Sequence, residues 1–296
     1  MYDNSRNLLD SKDVTINITQ RTTQPNTMKT VLFIGDSLTF YQRIPDEFVR
    51  ILTSNDTQSV IHDTISIYNV VKLAGRGWGN IQLIGTQKAN YMGWVAQQYH
   101  EGMSGWAWAN FNGSASPFYF GGHLDFNQYL TTHGFPNPDI IFIGLGWNDQ
   151  KYVTEVSPGV FDVSNPISSA RTFLSALTAQ LPNTKIRLWT ENVPGIHGGI
   201  GNHPYGAVEW ADEHKNKLIQ FAIAEGYKQL IKEFQNVGLV WSTAQIDSEN
   251  SLQETNAPFN GRINDTEIRG KDYVHPADAG FFQIVDSLIA DFVSLI

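Results

Sequence analysis

Two stretches of this chain, Val31-Leu32-Phe33-Ile34 and Ile140-Ile141-Phe142-Ile143, are apolar at every position rather than at alternate ones. A strand of that kind is covered on both faces, which points to a parallel sheet between two layers of helices. Residues 64–73, 185–190 and 237–242 read as further strands, giving five main strands, and residues 81–86 are a further candidate. Helical patterns fall between and after them. Residues 46–52 follow Pro45, a residue suited to a first helical turn. Residues 168–181 carry apolar side chains at Ala170, Phe173, Leu174, Leu177 and Leu181, and residues 207–234 and 277–293 form two more helices. Strands alternating with helices define an α/β chain.

The length of 296 residues suits one large domain or two small ones, and no domain boundary is visible. Hydrophobic residues at 41% supply a core, and charged residues at only 17% argue against disorder. A net charge of −9 without a long basic run speaks against a nucleic-acid partner. The absence of cysteine excludes disulfides, thiolate metal sites and a cysteine nucleophile. No His-x-x-x-His spacing occurs, so neither metal nor cofactor is expected. No apolar run reaches membrane-spanning length, and residues 1–6 lack a signal-peptide pattern. The protein therefore stays inside, leaves by a non-secretory route, or has lost a leader.

Residues 1–28 are polar with one alternating patch at 14–19, read as an edge strand, as an arm to a neighbouring subunit, domain or larger assembly, or as a mobile leader. The rest, 29–296, reads as one domain with an insertion at about 88–137, rich in glycine and carrying Tyr91, Trp94, Trp106, Trp108, Phe111, Phe118, Tyr119 and Phe120. That insertion is either a functional loop or a packed subdomain covering a sheet edge.

The first strand ends at Gly35-Asp36-Ser37-Leu38, a turn where Gly35 is expected to supply unusual backbone angles. Ligands of an open parallel sheet sit at the carboxyl ends of its strands. Ser37 follows the first strand, Gly146-Trp147-Asn148-Asp149 the third, and Asp272-Tyr273-Val274-His275-Pro276 the fifth across a polar loop. A serine hydroxyl needs a base, and His275, with Asp272 three residues earlier to hold its other nitrogen, is the best candidate. Asn148 can donate an amide to an oxyanion.

These three blocks resemble the SGNH (GDSL-type) hydrolases, a family of esterases and deacetylases. Glu101-Gly102-Met103-Ser104-Gly105-Trp106 resembles the family's second, glycine-bearing block. The resemblance spans residues 31–280. It implies a flavodoxin-like α/β/α sandwich around a five-stranded parallel sheet. It also implies Ser37 as nucleophile, His275 as base and Asp272 as orienter, with Ser37, Gly105 and Asn148 forming the oxyanion hole and Gly102 as the fallback glycine. Asp36 and Asp149 are expected to anchor turns.

Trp147 stands where the family usually has a small or aliphatic residue. Trp106 and Trp147 are expected to flank the oxyanion donors and narrow the acyl pocket to a short acyl group, unless Trp147 turns into the core. His197 and His203, in the loop after the fourth strand, are candidates to touch substrate. The many aromatic residues suggest platforms for sugar rings, so the implied substrate is an acetylated carbohydrate. The insertion and polar arm are also similar to family modules of phage tail proteins and bacterial carbohydrate esterases, which would make the arm a route to homo-oligomer or virion assembly. Lipase and thioesterase activities, or a non-catalytic carbohydrate-binding or virion structural module, are the alternatives.

Overall fold

The computed structural model describes residues 24–40, 43–53, 60–61, 70–71, 75–88, 98–189, 213–241 and 278–296. Their elements run β1 Lys29–Gly35, α1 Ser37–Phe40, α2 Arg43–Thr53, β2 Val60–Ile61, β3 Val70–Val71, β4 Ile81–Ile84, β5 Glu101–Gly102 and α3 Trp108–Phe111. Then come β6 Tyr119–Phe120, β7 His123–Leu124, α4 Phe126–His133, β8 Ile140–Gly144 and a 3-10 helix, Asn148–Tyr152. The chain continues with β9 Thr154–Ser157, β10 Val160–Asp162, α5 Ser164–Gln180, β11 Lys185–Trp189, α6 Glu213–Glu233, β12 Val237–Val240 and α7 Asp278–Leu295.

Five strands form one parallel sheet in the order β4-β1-β8-β11-β12, and the short β5 pairs with the end of β1. In sequence order this is 2-1-3-4-5, the flavodoxin-like arrangement, whose strand order reverses between β1 and β8. The partner of β1 at that edge is Ile81–Ile84 and not the 64–73 stretch. The described part of that stretch, Val70–Val71, pairs antiparallel with Val60–Ile61 in a separate two-stranded ribbon. Its β-branched composition signals a strand but carries no information about which sheet it joins.

Side-chain alternation along the strands builds the layers. Leu32, Ile34, Ile141, Ile143, Ile186 and Leu188 face one core with α5 and α6. Val31, Phe33, Ile140 and Phe142 face the other, where α2 and α7 pack. Phe33 stacks on Phe142 at 5.2 Å and meets Phe48 of α2 edge-on at 5.1 Å. These rings are fully buried, each worth about 1.5–3 kcal/mol by area removed from water.

The described part of the aromatic insertion, residues 98–137, is a packed layer. Trp108, Phe111, Phe118, Phe126 and Tyr129 are buried, and Phe173 of α5 receives Trp108, Phe111, Phe118 and Phe126 at 5.2–6.0 Å. These rings belong to the core and offer no face to a sugar, which corrects the expectation of many aromatic platforms on the rim. Trp106, Tyr119 and Phe120 remain half-buried at its margin. Among the described residues no helix is long and apolar enough to cross a membrane.

Candidate active site

The nucleophile candidate owes its position to close packing. Ser37 begins α1 one residue beyond Asp36, whose N–H still donates to the Gly144 carbonyl of β8 at 3.3 Å. Gly35 is required for space rather than for backbone angle, since its φ is not positive. A Cβ there would collide with the Thr39 side chain and lie 2.8 Å from the Gly144 oxygen. The sequence expectation of unusual angles at Gly35 is thus corrected, because a missing Cβ serves close approach as well as positive φ.

Asp36 is fully buried and closes the turn. Its Oδ1 accepts from the Leu38 N–H at 2.9 Å. Its Oδ2 accepts from Asn148 Nδ2 at 2.8 Å, across from the strand next door. The same Asn148 nitrogen donates to the Trp106 carbonyl at 3.1 Å. The Trp106 carbonyl can only accept, so it fixes which end of the Asn148 amide faces it.

Asp149, the next residue of the 3-10 helix, is buried and accepts from the Trp108 N–H with both oxygens, at 3.2 and 3.3 Å. Burial first, and then the repulsion of Asp36, push its carboxyl up to about 7. Behind it, the Tyr227 hydroxyl of α6 donates to the Leu145 carbonyl at 2.6 Å and accepts from Trp108 Nε1 at 2.7 Å. Sequence reasoning passed over Tyr227. The signal was available: it falls on the apolar face of a long helix with Ile223 and Leu230, where a phenol needs a buried partner.

The second glycine block splits into two different sites. Gly102 is buried against α1, where an added Cβ would lie 2.5 Å from the Phe40 nitrogen. Its N–H is committed to His100 Nδ1 at 2.9 Å. His100 is itself buried, which pushes its imidazole down to about 4. Gly105 sits at φ +78° with open space beside it, in a turn closed by the Trp106 N–H donating to the Met103 carbonyl at 3.1 Å. Of the two, Gly105 is the one open to a ligand.

The β1 turn, the 105–108 segment and the 3-10 helix therefore converge through Asp36, Asn148, Asp149 and the Trp106 carbonyl. Trp106 is half-buried, packing edge-on to Phe111 at 4.9 Å. Trp147 is only 2% exposed, closer to the core placement than to a pocket wall. Asp272, His275, His197 and His203 lie outside the described residues.

No protein-family model matches the sequence, and no curated protein matches it. Solved structures similar to this chain include a family 3 carbohydrate esterase from Talaromyces cellulolyticus, with 16% identity over 90% of this chain and 98% of that one at a TM-score of 0.48. Another is a family 3 carbohydrate esterase from Clostridium thermocellum, with 15% identity over 88% of this chain and 94% of that one at 0.49. A third is a carbohydrate acetylesterase from Sinorhizobium meliloti, with 13% identity over 90% of this chain and 100% of that one at 0.47. Identities and scores this low carry nothing over from those proteins to this chain.

Proposed function

We propose that this chain is a serine esterase of the SGNH type, acting on short acyl esters and most readily on the O-acetyl groups of a carbohydrate. Ser37 Oγ attacks the ester carbonyl while His275 takes its proton, and Asp272 holds the imidazole and stabilises the imidazolium. The carbonyl oxygen gathers negative charge and is met by the backbone N–H groups of Ser37 and Gly105 and by the Asn148 amide. Collapse breaks the bond to the sugar oxygen, which leaves with the proton from His275. Water, deprotonated by the same imidazole, then attacks the acetyl-serine and releases acetate.

One observation carries this reading. The serine that follows β1 and the asparagine that follows β8 flank the point where strand order reverses, and a 2.8 Å hydrogen bond links Asn148 to the residue beside the serine. Half-buried Trp106, one residue beyond Gly105, is an aromatic candidate among the described residues for contact with a sugar ring.

Hydrolysis of para-nitrophenyl acetate by wild type, Ser37→Ala and His275→Ala tests the chemistry. Loss of turnover in both variants is expected. A Ser37→Ala rate equal to wild type would make the chain a non-catalytic module on the same fold. An ester series from acetyl to octanoyl tests the short-acyl limit, and octanoyl turnover equal to acetyl would remove it. Release of acetate from acetylated glycans tests the carbohydrate assignment.

A further inference from the structure

We propose that Asp36 is a positioning residue of the oxyanion site: its carboxylate pins the Asn148 amide by one proton and leaves the other to the substrate oxygen. The inference deepens the esterase reading and rests on it. Asn148 Nδ2 has two protons and two acceptors, Asp36 Oδ2 at 2.8 Å and the Trp106 carbonyl at 3.1 Å. The bond to the buried carboxylate is charge-assisted and shorter, so it is the stronger of the two. The bond to the neutral carbonyl is the one that a developing oxyanion displaces. The Trp106 carbonyl thus occupies the amide's working proton at rest, and the substrate's carbonyl oxygen takes over that proton.

The chemistry of position 36 fits this role. The turn needs an acceptor for the Leu38 N–H, and the clamp needs a second acceptor for Asn148. An ionised carboxylate supplies both, whereas an asparagine has one acceptor oxygen and an NH2 group. Asp36→Asn therefore keeps the side chain's size and the turn's hydrogen bond, and sets one NH2 group against another at Asn148. In this role Asp36 needs no contact with the substrate. It acts through Asn148, and that dependence can be measured.

Steady-state kinetics on para-nitrophenyl acetate are compared for wild type, Asp36→Asn, Asn148→Ala, the double variant and Ser37→Ala, with thermal unfolding of each. Removing one oxyanion donor costs about 10²–10³-fold in kcat, so Asn148→Ala is expected in that range. Asp36→Asn is expected to lose about 10²-fold in kcat with KM changed less than about twofold, the signature of an interaction realised in the transition state. The double variant is expected within about threefold of Asn148→Ala, because two residues acting as one unit are non-additive. Asp36→Ser, whose hydroxyl can cap the Leu38 N–H but is too short for Asn148, serves if Asp36→Asn does not fold, and the same loss is expected.

A folded Asp36 variant with near-wild-type kcat, alongside an inactive Ser37→Ala, would overturn the positioning role and leave the esterase reading intact. Losses that multiply in the double variant would do the same, assigning Asp36 to the turn alone. A fully active Ser37→Ala would instead remove the esterase reading, and the positioning role with it.

Discussion

At the scale of single residues, Gly35 and His275 make the sharpest demands. Gly35→Ala would drive a methyl group into Thr39 and against the Gly144 carbonyl. The backbone of β1 would have to shift away from β8, an overpacking cost of about 1–3 kcal/mol. A lower denaturant midpoint and lost esterase turnover are the expected results, measured by urea unfolding and initial rates. A variant as stable and active as wild type would mean that the turn has room to relax. For the proposed base, kcat/KM should climb with pH as the His275 imidazole loses its proton, with a midpoint at or above the ordinary histidine value of about 6.5. The proposed pairing with Asp272 would stabilise the protonated form and move the midpoint up. A profile flat from mildly acidic to neutral pH would take His275 out of the mechanism.

At the scale of elements, α6 reaches the loop after β8 through the Tyr227 hydroxyl. Tyr227→Phe keeps the packing against Ile223 and Leu230 but leaves the Leu145 carbonyl and the Trp108 indole N–H without their hydroxyl partner in a buried place. Each such orphan costs about 1–3 kcal/mol. The expected result is a lower thermal midpoint and a smaller fall in kcat than for Asn148→Ala, since the β8 loop loosens without losing its donor. A Tyr227→Phe midpoint equal to wild type would refute that anchoring. The elements themselves were largely legible in the sequence. Continuous apolar runs gave β1 and β8, and 3.6-residue spacing gave α5, which starts four residues earlier than the pattern, at Ser164. What the sequence concealed was partnership. Residues 70–71 and 81–84 are equally strand-like, and the choice of which joins β1 is made by tertiary pairing. Composition could not choose between the two readings of the aromatic insertion, because Trp108 and Phe118 look alike to it whether they face solvent or Phe173. Ser37, Asn148 and the glycine block could be found because their chemistry is local. The link from Asp36 to Asn148 could not, because it crosses 112 positions in the chain.

At the scale of the whole molecule, burial raises carboxyl groups in several different places. Asp46 is pushed up to about 6, Asp149 to about 7 and Asp286 to about 6, in each case mainly by burial. Each is protonated in the folded chain at pH values where the unfolded chain has already ionised it. Their contribution to stability is therefore complete below the ordinary carboxyl pKa of about 4 and is lost as pH rises through about 6–7. His100 works in the opposite direction: its stability contribution is lost as pH falls from about 6.5 through about 4. Between about pH 6.5 and 7, with His100 already neutral in both states, Asp149 still ionises in the fold, so the thermal midpoint of wild type should decline there, and Asp149→Asn should flatten the decline. Equal slopes for the two proteins would show that Asp149 ionises in the fold as readily as outside it.

The placement of β1 between β4 and β8 also dictates an order of events during synthesis. Val31 leaves the ribosome long before its neighbour Ile140 exists. Until then β1 carries an unsatisfied row of peptide groups and an exposed run of Val, Leu, Phe and Ile, a hazard for aggregation. The turn that presents Ser37 cannot be completed until β8 has followed it out of the ribosome.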